Sequence, residues 1–335
     1  MLNDRKKKIL KAVIEEYIQT AEPVSSGSIV KNHGLDFSSA TIRNDMVELE
    51  EEHYLEKPHT SAGRVPSGKG YRYYVDELLK DDNISLEEMQ YIKDKLQTKV
   101  NEMEDLTKIA TDTISEITHY TSLAIGPKAD AHNIMDIKFV LLGSRVLMAV
   151  ILTDTGAIKE TIIKFNADIT ESQVESINYI FNQKLRGQPL SKIDKPMQDY
   201  LLTEMDYELQ IIKPIIEQIN NTLEDNSDIY LEGTNKTFDF PELKSYETAR
   251  KFLRLLDTKD TMLEVLNNDI AKDINVYIGD ESDIDDLKDF SIITFKHQVD
   301  GKELGTIGII GPTRMDYSKV ISIMKYINKK LNGEL

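Results

Sequence analysis

Residues 37–52, Phe37-Ser38-Ser39-Ala40-Thr41-Ile42-Arg43-Asn44-Asp45-Met46-Val47-Glu48-Leu49-Glu50-Glu51-Glu52, set the reading of the whole chain. Ser38 is a good N-cap, and Ile42, Met46 and Leu49 recur at three-four spacing. A helix therefore runs to about Glu52 with those three residues inward. At 100° per residue the opposite face presents Ala40, Arg43, Asn44 and Val47, with Glu48 and Glu51 further on. Upstream, Asn3 or Asp4 caps a helix reaching about Thr20, where Ile9, Leu10, Val13, Ile14, Tyr17 and Ile18 form one apolar stripe. Pro23 breaks the chain. A short helix capped by Ser25 or Ser26 then turns Ile29 and Val30 inward and ends at Gly34. Helix, short helix, tight turn, helix is the helix-turn-helix order.

The segment after the third helix extends the pattern. Tyr54–Lys57 reads as a strand, Pro58 to Gly63 as a polar turn, and Arg64-Val65-Pro66 as a return strand. A hairpin in that place is a wing, with His59, Thr60, Ser61 and Arg64 at its tip, within reach of a phosphate or the minor groove. Residues 57–75 carry Lys57, Arg64, Lys69 and Arg72 and no acid.

A winged helix-turn-helix points to double-stranded DNA. A recognition helix reads bases with its N-terminal residues. Arg43 suits a guanine edge and Asn44 an adenine edge, each bidentately. Ala40 is small enough to let the helix sit deep, and Ser38, Ser39 and Thr41 are placed to bond phosphates near the helix N-terminus. Lys57, His59, Thr60, Ser61 and Arg64 complete the candidate DNA-binding set.

The net charge of −17 runs against this, but the average hides a division. Residues 1–75 hold 11 basic and 11 acidic side chains, and the remainder holds 30 and 47. A phosphate backbone responds to the local patch rather than to the average. With 335 residues the chain has room for two or three domains. The absence of cysteine excludes a disulfide framework, a thiolate nucleophile and cysteine-ligated metal. MLNDRKKKIL lacks the apolar run of a secretory signal. The longest apolar stretch, Phe139–Leu152, is broken by Ser144 and Arg145 and falls short of the roughly 20 residues of a membrane span. A soluble, cytoplasmic protein without membrane partners is expected.

Several stretches resemble the HrcA family of heat-inducible transcription repressors. They are Thr20-Ala21-Glu22-Pro23-Val24, then Phe37 to Met46, then Tyr54 to Pro66, then Gly70-Tyr71-Arg72-Tyr73-Tyr74-Val75-Asp76. Near the far end, Gly308-Ile309-Ile310-Gly311-Pro312-Thr313-Arg314-Met315-Asp316-Tyr317 resembles the same family's C-terminal signature. The resemblance spans the chain in the right order. Two positions depart from it: His53 stands where the family usually has Gly, and Gly27 where it often has Arg. Histidine tolerates a left-handed cap better than most residues. Gly27 removes a phosphate contact expected from the second helix and lowers its helix propensity.

Beyond a polar linker at Asp81-Asp82-Asn83, Ser85 and Glu88 form a capping-box pattern. Met89, Ile92, Leu96, Val100, Met103, Leu106, Ala110, Ile114 and Ile117 then keep helical spacing as far as His119. This stripe fits a helix that pairs between subunits, two consecutive helices, or core packing within one chain. Leu123-Ala124-Ile125 is a short strand. Ile134–Leu142, Arg145–Thr153 and Ala157–Phe165 are β-rich runs joined by hairpin turns. Helices follow at Glu171–Leu185, with Thr170 and Gln173 as cap, and at Pro196–Leu223, which Pro214 should kink or divide. Strands are expected at 229–232, 275–278, 291–296 and 306–310, and helices at 246–257, 261–268 and from Tyr317 to about Leu331. The expected fold class is multidomain α+β. The block at 131–227 is compact and looks inserted between its flanks. The resemblance implies a winged helix-turn-helix DNA-binding domain at 1–80, a discontinuous GAF-like domain at 85–130 and 228–335, and an inserted α+β dimerisation domain at 131–227.

Other signals carry no chemistry. Gly63-Arg64-Val65-Pro66-Ser67-Gly68-Lys69-Gly70 matches a phosphate loop except at its end, where Gly70 replaces the Ser or Thr that holds magnesium. Gly305 to Gly311 has the wrong glycine spacing for a dinucleotide fold. The six histidines show no paired metal spacing, and Asp280 to Asp286 lacks the glycine and terminal glutamate of a calcium loop. No enzyme activity, cofactor or metal is expected. The leading expectation is a homodimeric DNA-binding repressor, since two-fold protein symmetry calls for an inverted-repeat operator. The resemblance implies that the operator is the CIRCE inverted repeat upstream of chaperone operons, and that a GroEL-type chaperonin sustains activity. The alternative is a regulator gated by a small molecule in the GAF-like domain. A third reading is a chaperone-binding adaptor or nucleotide hydrolase.

Overall fold

The computed structural model describes residues 2–58, 63–79, 84–96, 103–125, 133–154, 158–189, 199, 203, 209–224, 229–258, 261–263, 266, 274–282, 284–299 and 302–332. The fold is α+β. Three helices lead: α1 (Asp4–Thr20), α2 (Ser26–His33) and α3 (Ser39–Glu51). Asn3, Ser25 and Ser38 cap them, each side chain accepting from a backbone N–H three residues on. Ala21, with φ +55°, stops α1, and Gly34 stops α2. Leu55–Glu56 (β1) and Val65–Pro66 (β2) form a short antiparallel pair. The helix α4 (Gly68–Tyr73) follows and continues as a π-helical turn through Leu78.

The helical stripe at 85–119 resolves into two helices, α5 (Leu86–Leu96) and α6 (Met103–Thr118). They lie against each other, with Lys95 and Tyr91 of α5 both bonded to Glu116 of α6. Among the three readings of that stripe, the structure gives two consecutive helices packed within one chain. The Ser85–Glu88 capping box is present, with both backbone N–H groups bonded reciprocally.

A five-stranded antiparallel sheet is assembled from distant parts of the sequence. Its strands are β3 (Thr121–Ile125), β7 (Ile229–Glu232), β8 (Ile274–Ile278), β9 (Phe290–Val299) and β10 (Lys302–Pro312), in the order β7-β3-β10-β9-β8. The last strand in sequence is therefore the central one. One face packs on α6 and on the C-terminal helix α10 (Tyr317–Leu331), and the other on Phe252 and Leu255 of α9 (Tyr246–Asp257). Gly308 lies in β10 where a Cβ would stand 2.8 Å from a terminal methyl of Leu266, so the two pack closely at that crossing.

A separate three-stranded sheet comprises β4 (Ile134–Gly143), β5 (Val146–Thr153) and β6 (Ile158–Lys164), in sequential order. Helices α7 (Glu171–Leu185) and α8 (Leu209–Glu224) cover one face, and the enclosed apolar residues make a cluster of their own. Thr170 and Gln173 form the capping box of α7. The free edge of β4 is closed by side chains. Asn182 accepts from the Ile137 N–H at 2.9 Å and donates to the same residue's carbonyl, and Asn178 does the same for Phe139 at 2.8 and 3.0 Å. Two amides one helical turn apart thus serve β4 as a neighbouring strand would.

Three expectations are corrected. Val30 faces outward, because the turn of α2 on α1 and α3 leaves room inside only for Ile29. Of the two outcomes expected at Pro214, division does not occur: it lies inside α8, where Ile211, Ile212, Ile215 and Ile216 on either side of it are buried in one cluster, and most of 196–208 lies outside the described residues. The strands of the first hairpin are two residues each rather than three or four. The linker at 81–83 and part of 261–268 lie outside the described residues.

One apolar cluster joins the N-terminal helices to the five-stranded sheet. It includes Leu10, Val13, Ile42, Leu49, Tyr71 and Tyr74 on one side and Met315, Tyr317, Val320 and Met324 on the other. The rings of Tyr71 and Tyr317 meet at 5.6 Å. Arg72 bonds the Glu281 carboxylate, with Nε to Oε1 at 2.7 Å, and donates to the carbonyl of Val276 at the edge of β8.

Candidate nucleic-acid interface

Helix α3 divides into two faces as its spacing requires. Ile42, Met46 and Leu49 are buried, and Ala40, Arg43, Asn44, Val47 and Glu48 are exposed. Neither Arg43 nor Asn44 is held by a hydrogen bond or ion pair to a described residue. Both are free to meet a ligand.

The hydroxyls at the start of α3 are partly engaged within the protein. Ser38 Oγ accepts from the Thr41 N–H at 3.1 Å and lies 2.9 Å from Thr41 Oγ1. Ser39 Oγ lies 3.0 Å from Ser26 Oγ, so the first turns of α2 and α3 meet at a pair of serines. Ser38 and Ser39 are exposed and keep lone pairs and rotamers for further bonds.

Ser25, Ser26, Arg43, Met46, Val47, Lys57 and Arg64 line a groove of about 320 Å³ between these helices and the hairpin. Three cations and two hydroxyls on one open concavity make a surface suited to a polyanion. The sequence reading of Arg64 needs correction. It stands where the return strand begins, on the turn side of the Glu56–Val65 pair, with its N–H and carbonyl bonded to Val24 at 2.9 and 2.8 Å rather than reaching out from a tip. Its Nε donates to Glu50 Oε2 at 2.6 Å, and the side chain is 13% exposed. Arg64 therefore shares its charge with a carboxylate on the groove wall. Lys57 is exposed, whereas His59, Thr60 and Ser61 lie outside the described residues.

Two of the three glycines that imitate a phosphate loop have packing reasons, and Gly68 has none. A Cβ on Gly63 would stand 2.6 Å from the carbonyl oxygen of Pro23, and one on Gly70 would stand 2.2 Å from that of Tyr54. Ser67 caps α4 and donates to the His53 carbonyl at 2.6 Å. His53 adopts φ +63°, the left-handed conformation that its place after α3 demands.

Sequence reasoning missed Ser26, Glu50 and Asp45. Asp45 is 1% exposed on the inward face of α3, and Arg5 of α1 forks onto it. A carboxylate flanked by Ile42, Met46 and Leu49, in a chain whose first helix carries four consecutive cations after Asp4, was the available signal.

The family model for the HrcA protein C-terminal domain matches residues 104–321. The chain is 39% identical over 334 residues to the heat-inducible transcription repressor HrcA of Acetivibrio thermocellus, covering 98% of this chain and 95% of that one. It is 38% identical over 340 residues to the protein of the same name from Ruminiclostridium cellulolyticum, covering 100% and 98%. A solved structure described as a hypothetical protein at 2.2 Å resolution superposes with a TM-score of 0.65 at 26% identity, covering 99% of this chain and 98% of that one. By sequence along its whole length, the chain belongs to the HrcA family of heat-inducible transcription repressors.

Proposed function

We propose that this protein represses chaperone operons as a homodimer on the CIRCE inverted repeat, with residues 1–80 acting as a winged helix-turn-helix and a GroEL-type chaperonin sustaining the active form. The carrying observation is the outward face of α3, where Arg43 and Asn44 stand exposed and unengaged beside a groove containing Lys57 and Arg64. Arginine and asparagine there suit guanine and adenine edges in the major groove. Ser38, Ser39, Ala40, Thr41 and Lys57 supply close approach and phosphate contacts, and His59, Thr60 and Ser61 extend the set into the wing.

Dimerisation through the block at 131–227 is supported by the uncovered face of its sheet. Val140, Met148 and Ile162 lie in one cross-strand row, and Lys138, Val150 and Glu160 in the next. Leu142 is 54% exposed and Ile162 56%, and among the described residues helices cover only the opposite face. The residual apolar surface fits a second copy, and Lys138 and Glu160 at opposite edges suit a two-fold arrangement.

The test is footprinting on chaperone promoters with and without chaperonin, alongside affinity for palindromic and scrambled duplexes. Protection centred on the inverted repeat is expected. Equal affinity for both duplexes at moderate ionic strength overturns the proposal.

A further inference from the structure

The facing ends of α1 and α3 each break a local rule. Arg5, Lys6, Lys7 and Lys8 occupy the first turns of α1, where the helix dipole disfavours cations. Glu48, Glu50 and Glu51 crowd the end of α3 and Glu52 caps it, where the dipole disfavours anions, and no basic residue lies in that last turn. Such paired violations call for a compensating contact.

The contact is between the two ends. Arg5 forks onto Asp45, with Nε to Oδ2 at 2.6 Å and Nη2 to Oδ1 at 2.9 Å. Lys6 Nζ sits between Glu52 Oε1 at 2.6 Å and Glu48 Oε2 at 2.9 Å. Two neighbouring cations in the first turn of α1 thereby hold three carboxylates along α3. Asn3, capping α1, fixes where that turn begins.

The direction of this contact matters. Asp45 is 200° around the helix from Arg43 and 100° from Asn44. Ile42, Met46 and Leu49 bury the same face through contacts that have no preferred direction. A two-point guanidinium–carboxylate fork has one preferred geometry. Side-chain tips stand about 6 Å from a helix axis, so a roll of about 10° moves them by about 1 Å. A bidentate bond to a base edge does not survive much more.

We propose that the Arg5–Asp45 fork, backed by Lys6 on Glu48 and Glu52, is a positioning device. It sets the roll of α3, and with it the base discrimination of Arg43 and Asn44, without touching DNA. The inference rests on the assignment of α3 as the reading helix.

The experiment uses the full chain with Arg5→Lys, Arg5→Gln and Asp45→Asn, each titrated with a CIRCE duplex and a scrambled duplex of equal length across a salt series. The ratio of the two affinities is expected to fall about tenfold in all three, the loss of about one bidentate base contact. The salt slope should stay at the wild-type value. Arg5→Lys keeps the charge and loses only the fork, so it decides the matter should Asp45→Asn fail to fold. An unchanged ratio in Arg5→Lys overturns the proposal. So does an Arg5→Gln protein that weakens equally on both duplexes with a slope lower by about 1, since Arg5 would then be a direct phosphate ligand. A wild-type protein that does not distinguish the duplexes removes the reading-helix assignment instead, before any variant is compared.

Discussion

Arg314 Nη1 donates to the carbonyl oxygen of Ile18 at 2.8 Å, so a residue of the C-terminal motif caps the first helix of the chain. Helix α1 has no basic residue in its own last turn, and Arg314 supplies the missing positive charge there. Its remaining nitrogens bond the Glu242 carboxylate, and the side chain is only about one-tenth exposed. Arg314→Met is expected to cost about 2 kcal/mol by leaving Glu242 and a helix-end carbonyl without their donor. Thermal unfolding should show it, with the N-terminal helices melting earlier than the five-stranded sheet rather than together with it.

Arg43→Ala and Asn44→Ala should each cost about 1–3 kcal/mol on the inverted repeat, with little change on random DNA. Lys57→Ala should weaken both duplexes alike and lower the salt slope by about 1. Electrophoretic mobility shifts over a salt series separate the two classes.

Glu50 holds the Arg64 guanidinium at 2.6 Å on the wall of the groove. Glu50→Gln removes the negative charge and leaves an uncompensated cation facing the duplex. Affinity for random DNA should rise and its salt dependence steepen. An unaltered salt slope would show that Arg64 does not face phosphate.

His297 is fully buried in β9 with neither ring nitrogen bonded to a described residue, and burial pulls its pKa from 6.5 to about 4. The unfolded chain therefore binds a proton through this window that the folded chain refuses. Its contribution to stability is whole above pH 6.5 and is lost as pH falls towards 4, about 3 kcal/mol in all. His297→Leu should flatten that part of a denaturation-midpoint-against-pH curve, which is read by chemical unfolding at half-unit intervals.

Asn178 and Asn182 each satisfy both backbone groups of a residue on the β4 edge. Asn178→Ala together with Asn182→Ala leaves four such groups unbonded and opens an edge strand. A loss of several kcal/mol is expected, at about 1–3 per unsatisfied group with water recovering part of it. Light scattering after brief heating should rise well above wild type.

The local grammar of the chain was legible where caps and periodicity acted alone. Asn3, Ser38, Thr170 with Gln173, and the limits of the last helix all follow from adjacent residues. The faces of α3 follow likewise, since one helix turn decides them. The engagement of Arg64 did not, because it depends on Val24 and Glu50, which fold to it from 40 and 14 residues away. Asp45 escaped for the same reason, its partner lying 40 residues earlier. The helical stripe from 85 to 119 could not announce its own division, since both halves keep one period and the packing of Lys95 on Glu116 is tertiary.

The order β7-β3-β10-β9-β8 has a consequence for biosynthesis. Strand β3 leaves the ribosome early, yet the neighbour that pairs it with the rest of its sheet, β10, is the last strand to be translated. Throughout that interval Leu123, Ala124 and Ile125 have no completed sheet to enter, and Tyr71 and Tyr74 await Tyr317. Such non-local closure is slow and leaves sticky surface uncovered on the nascent polypeptide.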